Sequence, residues 1–222
     1  MKIVSFKICP FVQRVTALLE AKGATYEIEY IHLSAKPQWF LEAAPNGQVP
    51  ILITDSNEVI FESDAISEYI EELVPEPLFP RDPVAKAQQR AWSYLASKNY
   101  LVQCSAQRSP SQEVLQERAD KLRTAFAKLD KRLDDSSYFN GLPANNINMV
   151  DIACLPLLHR AAIIEKHTQY DFLAGFANLK ILQKNILATE LPRKSVSADF
   201  EEKFSAFYLS EDTYLGQIVR TR

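Results

Sequence analysis

Length, composition and charge exclude several classes of protein at the outset. The chain has 222 residues, of which 47% are hydrophobic and 24% charged, so it can bury a sizeable core and is too apolar to be disordered. Its formal net charge of −3 offers no basic excess for a phosphate backbone, and we expect no nucleic-acid partner.

The cysteine count and the first residues predict the compartment. Three cysteines are too few, and odd in number, for a secreted domain stapled by disulfides. Residues 1–7 are too short and too interrupted to be a signal peptide. No window approaches the run of about 18 apolar residues that a membrane span needs. We therefore expect a cytoplasmic protein with no membrane partner.

The first 31 residues predict a β-α-β unit. Residues 2–8 are typical of a buried strand, which the Cys9-Pro10 pair ends. From there to Gly23 the apolar residues recur at helical spacing, and residues 25–31 alternate as in a half-buried strand. Such a unit implies a right-handed crossover between parallel strands.

A hairpin and a helix complete the first half of the chain. A loop with a short helical turn over 33–44 precedes two strands, 50–53 and 58–61, that flank a polar turn. Ser63 is predicted to cap the helix that follows. A β-α-β unit followed by β-β-α within about 75 residues is the plan of an α/β thioredoxin-like domain.

A proline cluster predicts the domain boundary. Four prolines between Val74 and Val84 indicate a stiff linker. We therefore predict a thioredoxin-like domain over 1–75, a linker over 76–84 and an all-α domain over 85–222. Pro110 and a turn at Gly141-Leu142-Pro143 separate the first three predicted helices. The predicted helices are 83–107, 111–135, 149–165, 176–188 and 199–208.

The start of the third of these helices carries a specific signal. Asn148 and Asp151 have the spacing of a capping box, and Ile147 and Ile152 have that of a hydrophobic staple. We expect this pattern to direct folding and give it no chemical role.

Cys9 is the strongest candidate for chemistry. It lies where a strand ends and a helix begins, so free N–H groups and the helix dipole would favour a thiolate nucleophile. The alternative is a small buried hydrophobic residue, as we predict for Cys104 and Cys154. Val12 stands where the second cysteine of a Cys-x-x-Cys motif would be, so Cys9 has no partner there for an internal disulfide. Redox chemistry at Cys9 would therefore need an external thiol.

Four further positions could bind a ligand with charged ends. A cis bond before Pro50 would turn the Val49 backbone toward a ligand, although a trans proline at a strand start is commoner. Ser63 at a helix N-terminus could bind a carboxylate, and Glu62 could pair with an ammonium group. Lys36, in a loop, could meet a second carboxylate or simply be solvated.

The sequence offers no pattern for a metal or a phosphate loop. His32, His159 and His167 are scattered, without Cys or His neighbours at ligand spacing. With only 5 glycines in the chain, no glycine-rich phosphate loop exists. We predict no metal cofactor.

Over nearly its whole length, the chain resembles the cytosolic glutathione transferases, and in particular their cysteine-bearing, omega-like class. Asn148 departs mildly from the family pattern, which has Ser or Thr at the start of the capping box. The motifs that carry the resemblance are Cys9-Pro10-Phe11 with Arg14, Lys36-Pro37-Gln38-Trp39-Phe40, Asn46-Gly47-Gln48-Val49-Pro50 and Glu62-Ser63.

The resemblance implies a glutathione site, a symmetric dimer and a reaction. Glu62 and Ser63 would hold the γ-glutamyl end, Val49 the cysteinyl backbone and Lys36 the glycyl carboxylate, while Cys9 would face the sulfur. Omega-like members reduce mixed disulfides and dehydroascorbate and conjugate chlorodinitrobenzene poorly. The implied glutathione-binding residues are Cys9, Phe11, Lys36, Val49, Pro50, Glu62 and Ser63.

Two alternatives stay open. The protein could be a conventional transferase or isomerase that uses the thiolate of bound glutathione. It could also be a non-catalytic regulator on the same fold, like the bacterial stringent-starvation proteins that bind RNA polymerase. Such regulators generally lack the nucleophile, so the presence of Cys9 together with the glutathione motifs argues against this alternative.

Overall fold

The computed structural model describes residues 1–134 and 147–221, so the predicted turn at Gly141-Leu142-Pro143 lies outside the described residues. The first half contains β1 (Lys2–Ser5), α1 (Pro10–Ala21), β2 (Glu27–Tyr30), α2 (Gln38–Ala43), β3 (Ile51–Ile53), β4 (Val59–Phe61) and α3 (Ser63–Leu73). The second half contains α4 (Pro83–Ser97), α5 (Tyr100–Gln107), α6 (Gln112–Asp134), α7 (Met149–Thr168), α8 (Ala177–Leu187), α9 (Leu191–Lys194), α10 (Phe200–Tyr208) and α11 (Tyr214–Arg220).

The sheet has the order β2-β1-β3-β4, which confirms the thioredoxin-like plan. β1 and β2 are parallel, as the β-α-β unit predicts, and β3 is antiparallel to both of its neighbours. β2 lies at one edge of the sheet, and its Ile28 is 37% exposed. Helices α1 to α3 belong to the half that contains the sheet, and α4 to α11 follow it, giving an α/β half and a helical half.

The helical half differs from the prediction in two respects. The helix predicted over 83–107 is two helices, because the chain breaks at Lys98 and Asn99, where the Asn99 side chain donates to the Leu95 carbonyl at 2.7 Å. The short helices α9 and α11 were not predicted, since a few residues show too little periodicity.

α7 is the centre of the helical half. It packs against α1 and α4, and it is buried on nearly every side, as expected of a helix that is apolar all round. Its predicted capping box is confirmed: the Asn148 side chain accepts from the N–H groups of Val150 and Asp151, and Asp151 accepts from the Asn148 N–H. α7 therefore joins the helical half to the sheet through α1.

Among the described residues, no helix combines the length and the apolar character needed to span a bilayer.

Candidate active site

The register of the sheet brings the predicted site residues to one end. Val4 of β1 pairs with Ile51 of β3, and Ile51 pairs with Phe61 of β4. β3 runs antiparallel to both of its neighbours. The C-terminal ends of β1 and β4 and the N-terminal end of β3 therefore lie at the same end of the sheet. The predicted site residues at this end are Cys9, Val49, Pro50, Glu62 and Ser63.

Cys9 occupies the N-cap position of α1, directly before Pro10. Its N–H donates to the Phe6 carbonyl at 3.0 Å, which closes the turn between β1 and the helix. Its thiol lies 4.0 Å from the Val49 carbonyl oxygen, and the residue is half-buried. Cys9 is therefore held at the strand-to-helix junction, facing the segment that enters β3.

The expectation of a lowered pKa at Cys9 is wrong for this structure. Burial raises the pKa of the thiol to about 11, although the nearby backbone N–H groups of Val12 and Phe11 and the charge of Arg160 lower it. Some surface of Cys9 stays accessible, yet the protein packed around the sulfur removes most of the water that would solvate a thiolate. The neutral thiol therefore predominates at neutral pH.

The segment entering β3 places backbone groups beside Cys9. The Val49-Pro50 peptide bond is cis. Val49 is half-buried, and Pro50 is buried beneath it. The carbonyl of Val49 is thus available on the side of the sulfur.

The start of α3 differs by one residue from the prediction. The N-cap is Glu62, with φ of +67°, and Ser63 is the first helical residue rather than the cap. Positive φ is uncommon for a residue with a β-carbon, and such residues cluster at ligand sites. The Glu62 carboxylate is exposed and accepts from the Asn46 side-chain amide at 2.9 Å. Ser63 is buried behind it, at a helix N-terminus suited to an anion.

Lys36 is held over the loop that leads to β3. Its ammonium group donates to the Gly47 carbonyl at 2.8 Å, and the side chain is half-buried. Gly47 has φ of +60°, a conformation that glycine adopts without steric cost. The lysine is thus tied to the loop that precedes Val49, without a carboxylate partner among the described residues.

Phe11 points toward the helical half. Its ring packs edge-to-face on Tyr100 of α5, with ring centroids 5.1 Å apart. Tyr100 is fully buried, and its hydroxyl donates to the Ala153 carbonyl at 2.6 Å. Phe11 therefore anchors the Cys9 turn to α5.

A cavity of about 420 Å³ adjoins the Cys9 turn. Its wall is mostly apolar and comes from the segments after β1 and β2 and from α10, with lysines at the margin. The residues that define it include Lys7, Ile8, Tyr30, Ile31, Lys203 and Phe207.

Two polar residues near the site were given no role in the sequence analysis. Asn46 orients Glu62, and an Asn-Gly pair before the strand is the signal that marks this turn. Arg160 of α7 is fully buried and donates to the Ile8 carbonyl at 3.2 Å. A single cation inside an otherwise apolar helical stretch is the signal that would have revealed it.

Within residues 1–134 and 147–221, no three His, Cys, Asp or Glu side chains gather closely enough to hold a metal ion.

The fold and the site define a class of proteins with two features. A thioredoxin-like half carries a cysteine at the N-terminus of its first helix, and a helical half follows it. Comparison with known proteins narrows this class. The family model for the glutathione S-transferase N-terminal domain matches residues 8–73, and that for the C-terminal domain matches residues 112–180. The chain belongs to the glutathione S-transferase family.

The similar proteins include members of the omega class. Glutathione S-transferase omega-1 of Rattus norvegicus is 34% identical over 168 residues, 74% of this chain and 68% of the rat protein. The structure of glutathione transferase Omega 3C from Trametes versicolor has a TM-score of 0.74 at 23% identity and covers 88% of both chains. Rice GST1, solved in complex with glutathione, has a TM-score of 0.79 at 18% identity, covering 99% of this chain and 96% of that one.

Proposed function

We propose that this protein is a glutathione-dependent thiol transferase in which Cys9 is the nucleophile. The observation that carries the proposal is the position of Cys9 at the N-terminus of α1, with its sulfur 4.0 Å from the Val49 carbonyl oxygen. A conjugating enzyme needs at this position only a group that donates a hydrogen bond to the thiolate of glutathione. A cysteine can in addition form a mixed disulfide with glutathione, as thiol transfer requires.

Glutathione binds along the end of the sheet. Ser63 and the first N–H groups of α3 receive the γ-glutamyl carboxylate, and the exposed Glu62 carboxylate receives the α-ammonium group. The Val49 backbone pairs with the cysteinyl backbone above the buried Pro50. Lys36 exchanges its bond with the Gly47 carbonyl for the glycyl carboxylate. Phe11 contributes by anchoring the Cys9 turn on Tyr100.

The reaction proceeds by two disulfide exchanges. The Cys9 thiolate attacks the glutathionyl sulfur of a mixed disulfide, forms a Cys9–glutathione disulfide and releases the substrate as a thiolate. A second glutathione thiolate then attacks the glutathionyl sulfur, releasing oxidised glutathione and the Cys9 thiolate. One glutathione is thus consumed for each mixed disulfide reduced.

The second substrate occupies the cavity beside the Cys9 turn. An apolar wall from Ile8, Ile31 and Phe207 suits an uncharged or aromatic substrate. The two lysines that line the cavity already have carboxylate partners, Lys7 with Asp199 and Lys203 with Glu202. Dehydroascorbate reduction belongs to the same proposal, with two glutathione molecules oxidised for each molecule reduced.

A second candidate function is supported by the raised pKa of Cys9. A neutral thiol can donate a hydrogen bond to the thiolate of bound glutathione, as the hydroxyl groups of conjugating classes do. That candidate predicts conjugation of chlorodinitrobenzene and no dependence on a disulfide substrate.

We extend the proposal to the organisation of the protein. A domain boundary at residues 76–84 and a cytoplasmic location follow from the sequence pattern. A homodimer is supported by exposed apolar side chains on β4 and α3, Phe61 at 39% and Leu73 at 50% exposure. Light scattering during size-exclusion chromatography tests the dimer.

The test is glutathione-dependent reduction of hydroxyethyl disulfide by the wild type, Cys9→Ser and Cys104→Ser. Cys104 is also half-buried and serves as the matched control. We expect activity in the wild type and in Cys104→Ser, and its loss in Cys9→Ser. Activity that survives Cys9→Ser contradicts the proposal. If the wild type is inactive but is retained by glutathione resin, conjugation is the better account; if it is not retained, a regulatory role is.

A further inference from the structure

Arg160 of α7 is the most deeply buried cation near the candidate nucleophile. Its side chain has no exposed surface. One terminal nitrogen, Nη1, donates to the Gln13 side-chain oxygen and to the Pro156 carbonyl, the latter at 3.1 Å. The other, Nη2, donates to the Ile8 carbonyl at 3.2 Å, and the guanidinium lies 5.3 Å from the centre of the Phe200 ring. Arg160 thus connects three elements of the fold.

The charge of Arg160 has no carboxylate partner. Across residues 1–134 and 147–221, no Asp or Glu forms an ion pair with it, and its Nε has no hydrogen-bond partner. Burying an unpaired cation is costly, so a group that can become negative in its vicinity gains from its presence. By contrast Arg14, the other fully buried arginine of this interface, pairs with Asp64.

The acidic groups within the field of Arg160 are thiols and phenols. They are Cys9 after β1, Cys104 and Tyr100 of α5, and Tyr208 of α10. Tyr100 is engaged with the Ala153 carbonyl, and Tyr208 is hydrogen-bonded to the Cys104 thiol. Burial raises the pKa of both phenols, so neither ionises at neutral pH. Of these four residues, Cys9 is also linked to Arg160 through the backbone, because Arg160 donates a hydrogen bond to the carbonyl of the preceding residue, Ile8.

The side chains beside the guanidinium on α1 and α7 are neutral, and Glu201 of α10, whose charge acts on His159, pairs with Lys166. Gln13 accepts from Arg160 and contacts the His159 Nδ1 atom at 2.9 Å. Burial and the charge of Arg160 lower the pKa of His159 to about 4, so the imidazole is uncharged at neutral pH. Gln13 and His159 therefore orient the guanidinium and leave its charge uncompensated.

We propose that Arg160 is a positioning residue for the active-site thiol: it holds the Ile8–Cys9 peptide in place and supplies the counter-charge when Cys9 ionises. The cation buried in the helical half thereby offsets the desolvation of a thiolate in the other half. This inference rests on the proposed role of Cys9.

The test follows the rate at which iodoacetamide alkylates Cys9 across the pH range of thiol titration, read by mass spectrometry of the Cys9 peptide. Arg160→Met removes the charge and keeps most of the volume. We expect a pKa about one unit higher and about tenfold slower alkylation at neutral pH. Arg160→Lys keeps the charge and is expected to recover most of that rate.

Two further variants separate charge from packing. Gln13→Glu keeps the shape of the side chain and places a carboxylate on Arg160, so it is expected to slow alkylation as Arg160→Met does. Arg14→Met removes a buried arginine that already has a partner and is expected to leave the pKa of Cys9 unchanged. If Arg160→Met does not fold, Gln13→Glu decides the question.

A wild-type pKa in Gln13→Glu or in folded Arg160→Met overturns the inference, as does an equal shift in Arg14→Met. Alkylation requires no disulfide exchange. The wild type could fail to reduce hydroxyethyl disulfide while the pKa of Cys9 still depends on Arg160. That pair of results would contradict the proposed function and support this inference.

Discussion

The end of the sheet and helix α7 both carry polar groups, but they differ in burial and in bonding. At the end of the sheet, Lys36 is half-buried and Glu62 exposed, and a loop neighbour supplies one hydrogen bond to each. In α7, Asp151 and Arg160 are almost completely buried, and Arg160 donates three hydrogen bonds.

This difference separates binding groups from organising groups. A half-exposed group with one hydrogen-bond partner can exchange that partner for a ligand at little cost in free energy. A buried group that loses its partners has no water to replace them, so the loss costs its full desolvation free energy. We therefore expect changes at the sheet end to alter the KM for glutathione. Changes in α7 should alter stability and the ionisation of Cys9.

The largest effect is expected from Asp151 and depends on pH. Burial raises the pKa of this carboxyl from 3.8 to about 7, although the hydrogen bond from the Asn148 N–H lowers it. Between these values the folded protein binds the proton that the unfolded chain has released, so stability falls as the pH rises from about 4 to 7. The loss would reach at most about 4 kcal/mol.

Asp151→Asn removes this titration and retains an oxygen that can accept from Asn148. Urea denaturation of both proteins at pH values on either side of this window measures the effect. The variant should gain in stability relative to the wild type as the pH rises. A stability difference that is the same at both pH values would show that Asp151 does not titrate in this way.

Ser63→Ala should give the next largest effect, on binding. The variant loses a hydrogen bond to a charged carboxylate, typically about 1.5–3 kcal/mol, so we expect the KM for glutathione to rise at least tenfold. The kcat and the melting temperature should change little. Steady-state kinetics with varied glutathione, together with thermal melts, measure both. An unchanged KM would remove Ser63 from the binding site.

Asn148→Ala should produce a smaller effect, on stability alone. Its side chain accepts from two N–H groups at the start of α7, and loss of such a cap costs about 1 kcal/mol. The KM for glutathione should stay at the wild-type value, because the side chain caps α7 and has no part in the proposed glutathione site. Urea denaturation measures the stability, and steady-state kinetics on the same preparation measure the KM. An altered KM would contradict the assignment of glutathione binding to the sheet end and of stability to α7.

Lys36→Met should give the smallest effect. A half-exposed ion pair contributes about 0.2–1 kcal/mol, so the KM for glutathione should rise a few-fold and the difference should shrink in high salt. Lys121→Met, at an exposed i,i+4 pair on α6, is the matched control and should leave the KM unchanged. A salt-independent increase would point to packing rather than charge.

The sheet end was largely predictable because its signals are local. A Cys-Pro pair between a strand and a helix, and a Glu-Ser pair before another helix, mark the positions that the register then brings together. The shift of the cap from Ser63 to Glu62 was not predictable, since positive φ at a glutamate is set by its surroundings and not by its own preference.

The ionisation of Cys9 could not be predicted from its neighbours in the chain. The position favours a thiolate, but burial, which raises the pKa, depends on distant elements. The opposing charge of Arg160 likewise comes from α7, far along the sequence. The break at Lys98 and Asn99 was missed because no proline or glycine marks it.

The most direct measurement is to treat the wild type with oxidised glutathione and locate the adduct by mass spectrometry of its peptides. The account predicts one glutathionyl group, bound to Cys9 and released by reduced glutathione. An unmodified Cys9, or an adduct confined to Cys104 or Cys154, would contradict a mixed-disulfide cycle at this residue.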